Sequence, residues 1–239
     1  MVALAPTQMM AMEPTDPPDD SPTMVQFMKR NGLTLVLMAL FAASLVGQWL
    51  TGWRVAVEDL RRHGEPGMGL ISYLTDPAFI STVFENWESE FLQMAVYVVL
   101  TAYLVQRGSS ESKDPEASER DVLPSNDPDA PPLARRVGPL AWIYAHSLGL
   151  VLALLFTAAF VLHWVFSAKQ AAQEAAEHGQ HAQGVLAYLA DPQLWFESFQ
   201  NWQSEFLSTA VLVVLSIVLR QKNSPESKPV AAPDGKTGA

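Results

Sequence analysis

Four apolar runs limit what this chain can become. Two of them, LTLVLMALFAASLVGQWLTGW (33 to 53) and GPLAWIYAHSLGLVLALLFTAAFVLHWVF (138 to 166), exceed the roughly 18 to 20 residues a helix needs to cross a hydrocarbon layer about 30 Å thick. The other two, FLQMAVYVVLTAYLV (91 to 105) and FLSTAVLVVLSIVL (206 to 219), are shorter and must borrow length from polar leaders. Four such runs in 239 residues argue against a soluble core of buried helices. The expected fold is all-α: a polytopic membrane protein with four transmembrane helices, spanning about 33–53, 88–106, 142–166 and 203–220. The first run is too long, and lies too far along the chain, for a cleaved export signal, so it is expected to act as an uncleaved anchor.

Charge gives the expected orientation. The formal net charge is −10, but the 15 Lys and Arg residues are unevenly spread. Lys29, Arg30, Arg107, Lys113, Arg120, Arg135, Arg136, Arg220, Lys222, Lys228 and Lys236 fall in the termini and the central segment, leaving only Arg54, Arg61, Arg62 and Lys169 for the other side. Since basic residues flanking a span tend to stay inside the cell, the termini and linker are expected in the cytoplasm and the spans in the inner (plasma) membrane. The absence of cysteine excludes disulfides and thiol catalysis. With no phosphate loop, nucleophile elbow or metalloprotease helix, the expectation is a protein without enzymatic activity, cofactor or nucleic-acid partner. His178 and His181, near Glu174 and Glu177, could offer metal ligands, but an Ala-rich segment favours a solvated face, so no metal is expected.

A constant shift of 115 residues aligns the two halves without a gap. FENWESEFL (84 to 92) returns as FQNWQSEFL (199 to 207), and Trp49, His63-Gly64, Tyr73-Leu74, Asp76-Pro77 and Glu111-Ser112-Lys113 each meet an identical counterpart. The chain therefore reads as one two-helix unit used twice in the same orientation, with an axis along the membrane normal. The boundaries that follow are a disordered tail (1–28), a first hairpin repeat (29–113), a disordered acidic linker (114–136), a second hairpin repeat (137–228) and a disordered tail (229–239). The tails and linker are rich in Pro, Ser and acidic residues and bury too little apolar surface to offset their ordering entropy.

Each hairpin's outer end carries most of the pattern. Gly64 and Gly179 suit a left-handed helix end. Asp76-Pro77 and Asp191-Pro192 have the chemistry of a helix start, an aspartate capping free amides with proline in the first turn. A helix from 77 into the span would exceed the membrane thickness, so a bend near Asn86 and Asn201 is expected, with the amphipathic stretch before it lying at the lipid boundary. Trp49, Trp53, Trp87, Trp164 and Trp202 are expected as interface anchors. Offsets of four and seven put Asn86, Glu90 and Gln93 on one helix face and Asn201, Glu205 and Ser208 on another, facing Gln48 and His163 across the hairpin. These groups read as interhelical glue, or, more sharply, as an ion site centred on Glu90 and Glu205. Small residues at Ala39, Ala43 and Gly47, and at Gly149, Ala153 and Thr157, permit close helix contact.

YLTDP followed by FENWESEFLQM and SESKDP resembles a family of bacterial inner-membrane proteins catalogued only as a domain of unknown function, over nearly all of 29 to 228. The resemblance implies a small four-span protein and brings no activity or cofactor with it. The second copy departs from the first, with Gln203 where the first has Glu88. The functional expectation is a membrane scaffold or accessory protein of the cell envelope, associated with the lipid bilayer and with itself or another envelope protein. The alternative is a small proton or cation transporter or channel using the outer carboxylates.

Overall fold

The computed structural model describes residues 24–116 and 123–238; most of the expected N-terminal tail and residues 117–122 of the linker lie outside this range. Among the described residues the fold is all-helical, with no strand. In chain order the helices are α1 (Met24–Arg30), α2 (Gly32–Arg62), α3 (Pro77–Tyr103), α4 (Pro139–Ala145), α5 (Ser147–Glu177), α6 (Val185–Tyr188) and α7 (Pro192–Val218), with a short 3-10 turn at Ser72–Thr75 before α3. Three of them, α2, α5 and α7, are long and apolar enough to cross a membrane.

The helix ends follow local chemistry. The Asp76 side chain accepts from the Ala78 amide at 3.0 Å and Asp191 from the Gln193 amide at 2.9 Å, with proline next in both, so each aspartate satisfies one of the amides a helix start leaves unpaired. Gly64 and Gly179, at φ +75 and +66, turn the chain after α2 and α5 in a conformation that a Cβ disfavours. The expected break near Asn86 is absent. Both α3 and α7 run 27 residues without interruption, about 40 Å at 1.5 Å per residue. Phe79 and Val83, in the amphipathic stretch expected at the lipid boundary, are instead buried in protein.

The chain divides into two compact units, Met1–Arg54 and Val55–Ala239. In the first, α2 buries none of its side chains, and Leu33, Val36, Leu37 and Leu40 are among its exposed residues. In the second, α3 packs along α5 and also touches α7. Small residues let α3 and α5 approach. Ala95 and Ala159 are buried, and a Cβ added to Gly149 would sit 3.6 Å from Val99. α3, the helix at the centre of this packing, is not among the three that are apolar enough to cross a membrane. Its interior holds Ser81, Glu88 and Ser89, polar groups that protein partners can satisfy and lipid cannot.

Candidate functional site

The polar interior of α3 meets α5 and α7 near the helix ends that precede the membrane-length runs. His163 and Glu88 are wholly buried, and the imidazole Nδ1 lies 2.7 Å from a Glu88 carboxylate oxygen. On its other side His163 Nε2 lies 3.3 Å from Glu197 of α7. Further donors complete the arrangement: Trp202 Nε1 donates to Glu88 at 2.9 Å, Gln193 Nε2 to Glu197 at 2.8 Å and Ser167 Oγ to Glu197 at 3.3 Å. Ser81 and Ser167 share a buried hydroxyl contact of 2.7 Å, and Asn201 of α7 donates to Glu85 of α3. Helix periodicity makes this convergence possible. His163 and Ser167 are four apart on α5, Ser81, Glu85 and Glu88 share a face of α3, and Glu197 and Asn201 share one of α7.

The proton count has a chemical consequence. A neutral imidazole has one N–H and one lone pair, so it can bond only one ionised carboxylate. Holding both Glu88 and Glu197 takes a second proton on the trio, either as an imidazolium or as a carboxylic acid facing the bare nitrogen. Without it, one contact becomes lone pair against lone pair, the more costly on the Glu88 side, which is wholly buried. The three side chains are thus joined through one proton more than a neutral imidazole carries.

Beside Glu197 a cavity of about 250 Å³ is lined by Ser167, Gln170, Glu174, Tyr188, Asp191 and Gln193. Burial, followed by the carboxylates of Glu197, Asp191 and Glu174, pushes the Tyr188 phenol up to about 12, so it stays neutral and hydrogen-bonding across the physiological range. Among the described residues no group of three or more histidine and carboxylate side chains is arranged to hold a metal ion.

The residues expected from sequence distribute unevenly around this site. His163 is central, but its partners are Glu88 and Glu197, while Glu90 is exposed and Glu205 partly so. Gln93 does cross from α3 to α7, donating to the Glu205 carbonyl at 3.1 Å, to Ser208 Oγ at 3.4 Å and to Thr209 Oγ1. The Asn86 side chain donates to the Thr82 carbonyl of its own helix. Gln48 lies in α2, in the first unit, with its carbonyl accepting from Thr51. Of the tryptophans, Trp202 turns inward to Glu88, Trp164 donates to the Val185 carbonyl at 2.8 Å, and Trp87 stacks edge-on to Phe84. Trp49 and Trp53 lie on α2.

Glu88, Glu197, Glu85, Ser81 and Ser167 escaped the sequence reading. A signal was present in the broken repeat, since Glu88, His163 and Glu197 correspond at the 115-residue shift to Gln203, Gln48 and Thr82.

At the opposite end of α3 and α7 the Glu-Ser-Lys segments act as helix caps. Ser112 Oγ accepts from the Gln106 amide and Ser227 Oγ from the Gln221 amide, both at 2.9 Å. Lys113 Nζ donates to the Ala102 carbonyl and Lys228 Nζ to the Ile217 carbonyl, placing a cation on the last turn of each helix. Lys228 is also fully enclosed, reaching the carbonyls of Gly108 at 2.6 Å, Asp234 at 2.8 Å and Lys236 at 3.2 Å. Residues 228–238 thereby pack on the segment after α3. The Gly108 amide donates to Thr237 Oγ1 and the Gly238 amide to the Ser109 carbonyl, both at 2.9 Å.

No curated protein and no solved structure matches this chain. Residues 24–239 match a family defined as a domain of unknown function, DUF6766, and the chain belongs to that family.

Proposed function

We propose that the chain is a non-enzymatic membrane protein of the cell envelope, four-spanning and built from two copies of one hairpin. In this reading it serves as an accessory protein whose helix packing is set by the proton shared among Glu88, His163 and Glu197. The observation that carries the reading is the buried imidazole held between two carboxylates from different helices, because gain or loss of one proton changes how α3, α5 and α7 adhere. Glu85 on α3 adds a third carboxylate to the same neighbourhood. Several features support duplication: α2 and α5 both have 31 residues, α3 and α7 both have 27, and Gln93 lies within reach of Ser208, its own counterpart. The distribution of Lys and Arg supports cytoplasmic termini and an outward-facing trio.

A second reading, proton-linked cation flux, is favoured by the cavity carrying Glu174, Asp191 and Glu197. Proteoliposomes containing the full chain separate the two. The accessory reading expects no flux, and expects amide protection in α3 and α5, corrected for the intrinsic pH dependence of exchange, that changes with external pH in wild type but not in His163→Gln. Flux abolished by Glu88→Gln and Glu197→Gln supports transport instead. Wild-type protein with neither flux nor a pH-dependent exchange pattern refutes both. The natural absence of cysteine makes sidedness equally testable: a cysteine replacing Glu65 should react with an impermeant maleimide from outside, and one replacing Lys222 only after permeabilisation.

A further inference from the structure

A second cavity, of about 350 Å³, lies between α3 and α7 on the side away from the Glu-His-Glu trio. Its walls are mainly apolar: Val96, Leu100 and Leu104 come from the α3 side, and Phe206, Ala210 and Val213 from α7. Gln93 closes one end by bridging to Glu205 and Thr209. The other end is framed by Gln106, Glu111 and Ser112, where the chain turns back after α3.

Glu111 gives the crevice its chemistry. The carboxylate is half-buried and accepts from Tyr97 OH at 2.9 Å and from Ser110 Oγ at 3.4 Å. Neither partner is charged. The ion pairs among the described residues do not include Glu111, and no Lys, Arg or His lines the crevice. A membrane-embedded apolar cleft with one uncompensated carboxylate at its mouth has the make-up of a small-ligand site, apolar walls with a few orienting polar groups. At about 30 Å³ for a water-sized group, a size a methylene shares, the volume takes an alkyl chain of roughly a dozen carbons. A carboxylate at the mouth favours a head that is cationic and can donate hydrogen bonds.

We propose that this crevice binds one acyl chain of a bilayer phospholipid whose headgroup carries a primary ammonium, with Glu111 receiving that ammonium. The bilayer is the source, because the crevice runs along two apolar helices. A quaternary ammonium carries the same charge but has no N–H to donate, so ethanolamine and choline lipids should be distinguished.

The test uses the full chain in detergent, titrated with phosphatidylethanolamine, phosphatidylcholine and phosphatidylglycerol of matched acyl chains, with bound lipid counted by native mass spectrometry. The ethanolamine lipid should be retained roughly tenfold better than the choline lipid, the gain expected of a charge-assisted hydrogen bond. Glu111→Gln should bring the two to parity. Ala210→Phe should reduce retention of all three lipids by filling the cleft, and Val213→Phe serves the same purpose if the first variant does not elute as wild type. Equal retention of ethanolamine and choline lipids by wild type, or a preference that survives Glu111→Gln, overturns the proposal. So does full competition by free ethanolamine, which would mean that the chain adds nothing.

Discussion

Replacing His163 by Leu removes the group that holds Glu88 and Glu197 together while nearly preserving volume. Glu88, wholly buried, would keep only the Trp202 donor at 2.9 Å, and Glu197 would keep Gln193 and Ser167. Breaking one side of a buried ion pair costs about 3–5 kcal/mol, because a charge is left without its partner in a medium that cannot solvate it. Glu88→Leu should cost a similar amount by stranding the imidazole and the Trp202 N–H. The double variant removes both buried charges and leaves chiefly unsatisfied donors, at about 1–3 kcal/mol, so the effects should fall well short of additive. Unfolding of the four proteins in mixed detergent–SDS micelles, followed by circular dichroism at one pH, gives the coupling energy. Additivity within about 0.5 kcal/mol would show that Glu88 and His163 act independently. A His163→Leu cost below about 1 kcal/mol would refute the dry interior itself, since only water could then be replacing the lost partner.

Gly108 supplies a second measurement. At φ +85 it lies where an added Cβ would stand 3.0 Å from the Asp234 carbonyl and 3.1 Å from Ile217, so Gly108→Ala should release residues 228–238 and speed trypsin cleavage after Lys236, the Lys228–Pro229 bond being resistant. Gly179→Ala, at φ +66 with nothing within 4 Å, should cost only the backbone strain of about 1–2 kcal/mol and leave that cleavage unchanged. Asp76→Ala and Asp191→Ala should each lower stability by about 1 kcal/mol and raise hydrogen exchange at the Ala78 and Gln193 amides; unaltered exchange there would remove the caps from the account.

Local features were legible in the sequence because their causes lie within a few residues. Asp-Pro announces a helix start, glycine after a basic or histidine-bearing turn announces an end, and about 20 apolar residues announce a helix long enough to cross a membrane. The polar site was only half visible. Offsets along α3 united Asn86, Glu90 and Gln93, but which face of a helix meets its neighbours is decided by packing, and α5 seats Ala159, His163 and Ser167 toward the face that bears Ser81 and Glu88, leaving Ala153 and Thr157 exposed. Glu197 precedes its apolar run and reads locally as a surface residue. Its role depends on His163, 34 positions earlier. The Glu-Ser-Lys caps were hidden for a similar reason, since Lys113 and Lys228 reach back 11 residues to the carbonyls they satisfy.

The enclosure of Lys228 has a bearing on biogenesis. Gly108 finds its partners at Lys228 and Thr237, which are 120 and 129 positions further along the chain. At about 5–20 residues per second a ribosome takes roughly 6–24 s to supply them. For that interval the C-terminal end of α3 stands with its exit turn incomplete. A nascent chain at this stage should be a better substrate for membrane quality control than the finished one.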